Sequence, residues 1–292
     1  MNHPPSRLLP YIALGSGILA LSLSAMFVRW AQAPGPVTGF YRLFFSTLLL
    51  LFYLSWRKAL RPLNGKGWFY PIAGGLFTAC DFALWNTAVQ YTTASNATLL
   101  GNTAPLWVAL GAWLIFKEHL NGRFWLGLGL GLFGATLLIG NDFLHHPLPG
   151  LGDLLAVGAG VFYAAYLLTT QRGREHFTPL LYIFWVGVVA SSGLWGINRI
   201  LGYSLIGYPQ RTWLVFLGTA LVSQLIGYLS ISYALGHLPA RIVSPTLIAQ
   251  PVLTTFLAIP LLGEIPTALQ WLGSAIALIG IYFVHRSHEG ER

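Results

Sequence analysis

Polar side chains recur at helical spacing within stretches that are otherwise apolar. Thr78, Asp81 and Trp85 stand three and four residues apart, as do Tyr163 and Tyr166, then Gln224 and Tyr228; Asn102 and Gln250 occupy similar surroundings. Residues so spaced share one helix face, and a polar face turned to lipid would be costly, so these faces look inward. Amides, hydroxyls and aromatic rings are equipped to bind. Thr78, Asn102, Gln224 and Gln250 suit an ammonium and a carboxylate, while Trp85, Tyr163, Tyr166 and Tyr228 offer faces to apolar side chains or cations. Helix–helix hydrogen bonding would use the same residue types.

Bond-making chemistry finds little support. All eight histidines lie in loops, in tails or at the ends of apolar stretches. There is no His-Glu-x-x-His helix, no Ser–His pair within a span and no Walker motif, so no catalytic residue and no cofactor is assigned. His145 and His146 are adjacent without a third ligand, and no metal site is assigned.

The elements that position these residues follow from hydropathy. Of the 292 residues 55% are hydrophobic and 8% charged, with a mean hydropathy of +0.65, against about 25% charged in a soluble chain. This is an all-α membrane protein. Ten stretches reach the roughly 20 apolar residues of a span: 10–30, 36–56, 68–89, 94–116, 123–140, 151–171, 178–198, 213–235, 240–262 and 266–285. Ala31-Gln32-Ala33 imitates a signal-peptidase site, but the stretch before it is long enough to span and Pro34 follows, so it reads as the first transmembrane helix. The net charge of +8 is no nucleic-acid signal, because the basic residues sit at span ends. Twelve of the 16 fall on the side of the N-terminus, which places both termini in the cytoplasm of a cell whose plasma (inner) membrane holds the chain. Arg42 and Asp81 lie about 9 Å and about 12 Å inside the outer ends of their spans at 1.5 Å per residue. At those depths they are expected to pair. A tether between helices would explain the pair; so would a role in which Asp81 binds an amine or titrates and Arg42 binds a carboxylate.

The chain contains one stretch twice. Shifting Ala94–Gly134 by 146 residues aligns it with Ala240–Gly280 without a gap, and nine of 41 positions are identical. They include Pro105 with Pro251, Glu118 with Glu264, Trp125-Leu126-Gly127 with Trp271-Leu272-Gly273, and Gly134 with Gly280. Shared apolar composition does not align such residues in one register. Ten spans divided by this shift make two units of five, residues 1–143 and 144–292. An odd number of crossings inverts the second unit relative to the first, a plan common among secondary transporters.

The paired prolines interrupt spans four and nine, where each bends its helix, either as a fixed kink or as a flexing point for gating. Gly127 and Gly131, with Gly273 and Ala277, form small-residue pairs expected to pack a helix against its own repeat, with dimerisation as the alternative. Glu118 and Glu264 precede helices, where a carboxylate satisfies free amides.

The run Tyr91–Ala97, then Pro105, Phe116-Lys117-Glu118, Trp125-Leu126-Gly127 and Gly134, resembles the EamA-type drug/metabolite transporter superfamily, and the second copy resembles it again. The resemblance covers nearly the whole chain and implies a secondary transporter working by alternating access. It implies amino acids and related metabolites as substrates, moved outward, with likeness to the aromatic-amino-acid branch. Arg42 matches an arginine of the family's second helix; the second repeat carries Trp185 and no charge in its corresponding span. An organic-cation exporter using Asp81 is the alternative within the class, and an intramembrane enzyme the alternative outside it. The expected partners are a small-molecule substrate and the bilayer, with the chain monomeric or homodimeric.

Overall fold

A computed structural model describes residues 8–63, 65–91, 100–139, 150–262 and 266–289. Every element among them is helical. In chain order these are α1 (Leu9–Ser22), α2 (Ser24–Ala31), α3 (Gly35–Trp56), α4 (Phe69–Tyr91), α5 (Ala104–Leu114), α6 (Gly122–Ile139), α7 (Leu151–Gly173), α8 (Pro179–Ile200) and α9 (Gln210–Thr219). A π-helix (Ala220–Tyr228) continues directly into α10 (Leu229–Leu235), followed by α11 (Ala240–Thr246), α12 (Ala249–Leu262) and α13 (Ala268–Glu289).

Seven helical segments among the described residues are long and apolar enough to cross a membrane. Helices also occupy the three remaining expected stretches, as α4, α5 and α6, where α5 has only 11 residues. Glu264, the His145-His146 pair and the boundary near residue 143 lie outside the described residues.

The chain forms two compact units, Met1–Leu76 with Thr169–Pro239, and Phe77–Leu168 with Ala240–Arg292. Each takes helices from both halves of the sequence. In the first unit α1 lies against the π-helix and α10, where a Cβ on Gly17 would come 3.1 Å from the Gly227 carbonyl. Helices α3 and α8 run antiparallel. The buried Asn198 amide donates to Pro36 O at 3.0 Å at one end, and Thr47 abuts Gly187 toward the other. Thr178 caps α8 through the Leu181 N–H, and Pro179 opens it, where its missing N–H has no intrahelical acceptor to lose. The Ala31-Gln32-Ala33 segment is integral to this unit: Ala31 is fully buried and its carbonyl accepts from Thr212 Oγ1 at 2.9 Å.

In the second unit α6 and α13 also run antiparallel and pack backbone to backbone. A Cβ on Gly127 would stand 2.7 Å from Gly280 O, and one on Gly134 would stand 2.6 Å from Gly273 O. This corrects the expectation that these glycines pack a helix against its own repeat. They pack the fifth expected span against the tenth, because glycines at both repeat positions make one close seam, and close approach is what associates helices in lipid.

Caps at the starts of α6 and α13 come from short polar side chains. Asn121 Oδ1 accepts from Phe124 N at 2.9 Å, and Thr267 and Gln270 form a reciprocal capping box at 2.9 and 3.3 Å. Asn121 and Thr267 are equivalent under the 146-residue shift. Glu118 instead pairs with Arg241 at 2.8 Å, joining the loop before α6 to the start of α11.

Candidate functional site

Pro105 and Pro251 do more than bend their helices. The fourth span is interrupted at Asn102-Thr103 and the ninth at Leu247-Ile248, and each proline lies in the first turn of the segment that follows. Without an N–H, Pro105 cannot bond the Gly101 carbonyl in helical register. Thr103 steadies that break, donating to Leu100 O at 2.6 Å and accepting from Trp107 Nε1 at 3.1 Å. Gly160 lets the seventh helix close on it, since a Cβ there would meet Gly101 O at 3.1 Å. The second break is held by short turns, Leu247 N to Ser244 O at 3.1 Å, Ile248 N to Pro245 O at 3.1 Å and Gln250 N to Leu247 O at 2.9 Å. Pro245, unremarked in the sequence, adds to the interruption from within α11.

Both breaks face one cavity in the second unit. It is lined by Gly101, Asn102, Ala104 and Pro105 from one, by Ser244, Leu247, Ile248 and Gln250 from the other, and by Tyr163. Its volume is about 20 Å³, room for about one water. Two helices, α5 and α12, begin at this wall, so their first-turn amides place partial positive charge there. The polar side chains around it are amides and hydroxyls without formal charge, set among apolar ones. The arrangement suits a small polar group carrying negative charge.

Asn102, Tyr163 and Gln250 are thus brought together, with Pro105 beside them. Trp85 lies next to them, its indole 3.2 Å from where a Gly101 Cβ would be. Tyr166 is buried with its ring parallel to that of Tyr163, centroids 6.1 Å apart. Thr78 is buried and Asp81 half-buried on α4. Ser244 was missed by sequence reading. It is fully buried, and its hydroxyl has no hydrogen-bond partner among the described residues.

A second polar cluster stands in the first unit. Arg42 Nε donates to Gln224 Oε1 at 3.0 Å, and its Nη1 donates to Ser24 Oγ at 3.1 Å. Ser24 in turn donates to Ser223 at 2.9 Å, and the guanidinium carbon lies 5.0 Å from the Tyr228 ring centroid. Gln224, Ser223 and Tyr228 all belong to the π-helix, a rare geometry found often at functional sites. Three of the sequence candidates, Arg42, Gln224 and Tyr228, therefore meet here; Ser24 and Ser223 carried no signal beyond being hydroxyls. Asp81 belongs to the other unit.

Apolar helices with paired interruptions around a polar cavity define a multi-pass membrane protein of the transporter class. The profile of the EamA-like transporter family matches residues 9–140 and again residues 150–286. The chain belongs to that family. It is 26% identical to a probable amino-acid metabolite efflux pump of Escherichia coli over 60% of this chain and 61% of that protein. It is 22% identical to a riboflavin transporter of Vibrio cholerae over 86% of this chain and 83% of that one. A solved crystal structure 18% identical in sequence shares the fold with a TM-score of 0.82, covering 98% of this chain and 100% of that one.

Proposed function

We propose that the chain is a ten-helix secondary transporter exporting amino acids and related metabolites across the plasma membrane, with both termini cytoplasmic. The observation that carries the reading is the pair of helix breaks facing one cavity. The substrate carboxylate would lodge at the starts of α5 and α12, hydrogen-bonded by Asn102, Ser244 and Gln250, with Tyr163 and Trp85 against its side chain. Broken helices whose N-termini meet an anionic group are a recurrent transporter device.

Inverted repeats over 1–143 and 144–292 account for the α6–α13 seam. Exchanging residues by the 146-residue shift turns the Gly127–Gly280 contact into the Gly273–Gly134 contact. Alternating access accounts for the cavity's size: at about 20 Å³ it admits no amino acid until the broken helices move. Asp81 is the acidic group within a span available for coupling to protons.

The test is transport of labelled amino acids, riboflavin and an organic cation by the purified protein in liposomes, with and without a pH gradient. Amino-acid movement lost in Gln250→Ala at unchanged folded protein supports the reading. Movement of the cation or riboflavin alone would reassign the substrate, and release of chemically altered product would replace transport by catalysis.

A further inference from the structure

We infer that the cleft between the start of α6 and the end of α13 binds the phosphate of an anionic lipid headgroup. Asn121, Gly122, Arg123, Arg286 and Ser287 line this opening of about 480 Å³ in the second unit. Arg123 and Arg286 come from neighbouring helices, and both are exposed. Arg286 is steadied by Tyr282, whose hydroxyl accepts from Nη1 at 2.9 Å. Glu118, the acid nearest in sequence to Arg123, is committed to Arg241.

Three further features fit a phosphate. Gly122 and Arg123 lie in the first turn of the 18-residue α6, where backbone N–H groups lack intrahelical acceptors and the dipole favours an anion. Guanidinium groups match phosphate oxygens in pairs. Trp125 and Tyr282, both exposed within about a turn of the arginines, are the residue types that settle at headgroup depth. Basic pockets between helix ends at that depth take lipid headgroups.

The opposite end of the same helix pair supplies a contrast. Under the 146-residue shift Leu269 stands where Arg123 stands, and Gly140 where Arg286 stands. The 146-residue shift repeats the glycines of this helix pair but not its two arginines. The arginine pair is therefore no requirement of helix packing. It marks one leaflet, the one that the charge distribution assigns to the cytoplasm.

The experiment titrates the purified full chain in detergent with phosphatidylglycerol, with phosphatidylcholine of the same acyl chains, or with inorganic phosphate. Melting temperature and retained lipid by native mass spectrometry are the readouts. Wild type should prefer phosphatidylglycerol over phosphatidylcholine, with roughly fivefold of the preference lost per arginine removed. Arg123→Ala/Arg286→Ala should abolish the preference, and Arg123→Lys/Arg286→Lys should keep most of it. An equal preference in the alanine variant, or none in wild type, overturns the inference. Inorganic phosphate binding as well as the lipid does would assign the cleft to a soluble anion and overturn the lipid assignment. If the alanine variant does not fold, the wild-type lipid comparison and the lysine variant decide.

Discussion

Arg42 and Gln224, 182 positions apart in the chain, meet through a 3.0 Å hydrogen bond from guanidinium to side-chain carbonyl. Gln224 is 1% exposed and sits on the π-helix, so the bond joins α3 to a segment of altered helical geometry. Removing Gln224's amide leaves a guanidinium N–H facing an apolar replacement, at a cost of about 1–3 kcal/mol. Gln224→Leu should therefore melt below wild type, and Arg42→Lys should do likewise, since an ammonium lacks the fork that reaches Ser24 and Gln224 together. Thermal melting of the purified variants checks both.

The α6–α13 seam predicts a contrast between glycines. Gly127→Ala forces a methyl against the Gly280 carbonyl and the Val284 N–H, backbone atoms that cannot turn aside, and should destabilise by about 1–3 kcal/mol. Gly129→Ala, two residues on, enters open space and should be neutral or mildly stabilising. Folded yield and melting temperature separate the two.

At the cavity, Gln250→Ala and Ser244→Ala each remove a group that would hold substrate. Each should lower kcat/KM by about tenfold, which corresponds to 1.4 kcal/mol of lost stabilisation, while melting stays near wild type. Liposome uptake beside melting of the same preparation checks this.

The interruptions themselves can be filled. Pro105→Ala and Pro251→Ala restore a backbone donor and favour continuous helix. We expect folded protein of equal or greater stability whose transport is several-fold slower. Normal rates in both variants would make the breaks structural only.

Near α6, two polar residues differ in weight. Asn121→Ala deletes the N-cap and should cost about 1 kcal/mol. Glu118→Gln removes the charge from an ion pair whose contacting atoms are buried, and should cost about 1–3 kcal/mol. The order of their melting temperatures is the observable.

Glu118 recurs as Glu264 under the shift, but repetition does not say what a side chain touches. The cap at α6 came from Asn121, three residues on, because capping needs a short side chain at the residue where the backbone turns into the helix. Pro105 and Pro251 were legible as interruptions, since proline's effect is carried by its own backbone. The role of Ser244 was not legible, because a serine in a helix usually bonds its own preceding turn.

The sequence by itself determined the membrane setting, the places of the helices, the duplicated register and the two prolines that break spans. Those properties are local, set by hydropathy, by backbone chemistry and by residue order. Which groups come together was decided only in the tertiary structure: Arg42 bonded to Gln224 and Ser24, Asn102 and Gln250 lining one cavity from two breaks, Gly127 against Gly280. In lipid, apolar faces give helices no strong preference among partners, so close backbone packing and a few hydrogen bonds select the pairing. That selection depends on groups far apart in the chain, and no single stretch contains it.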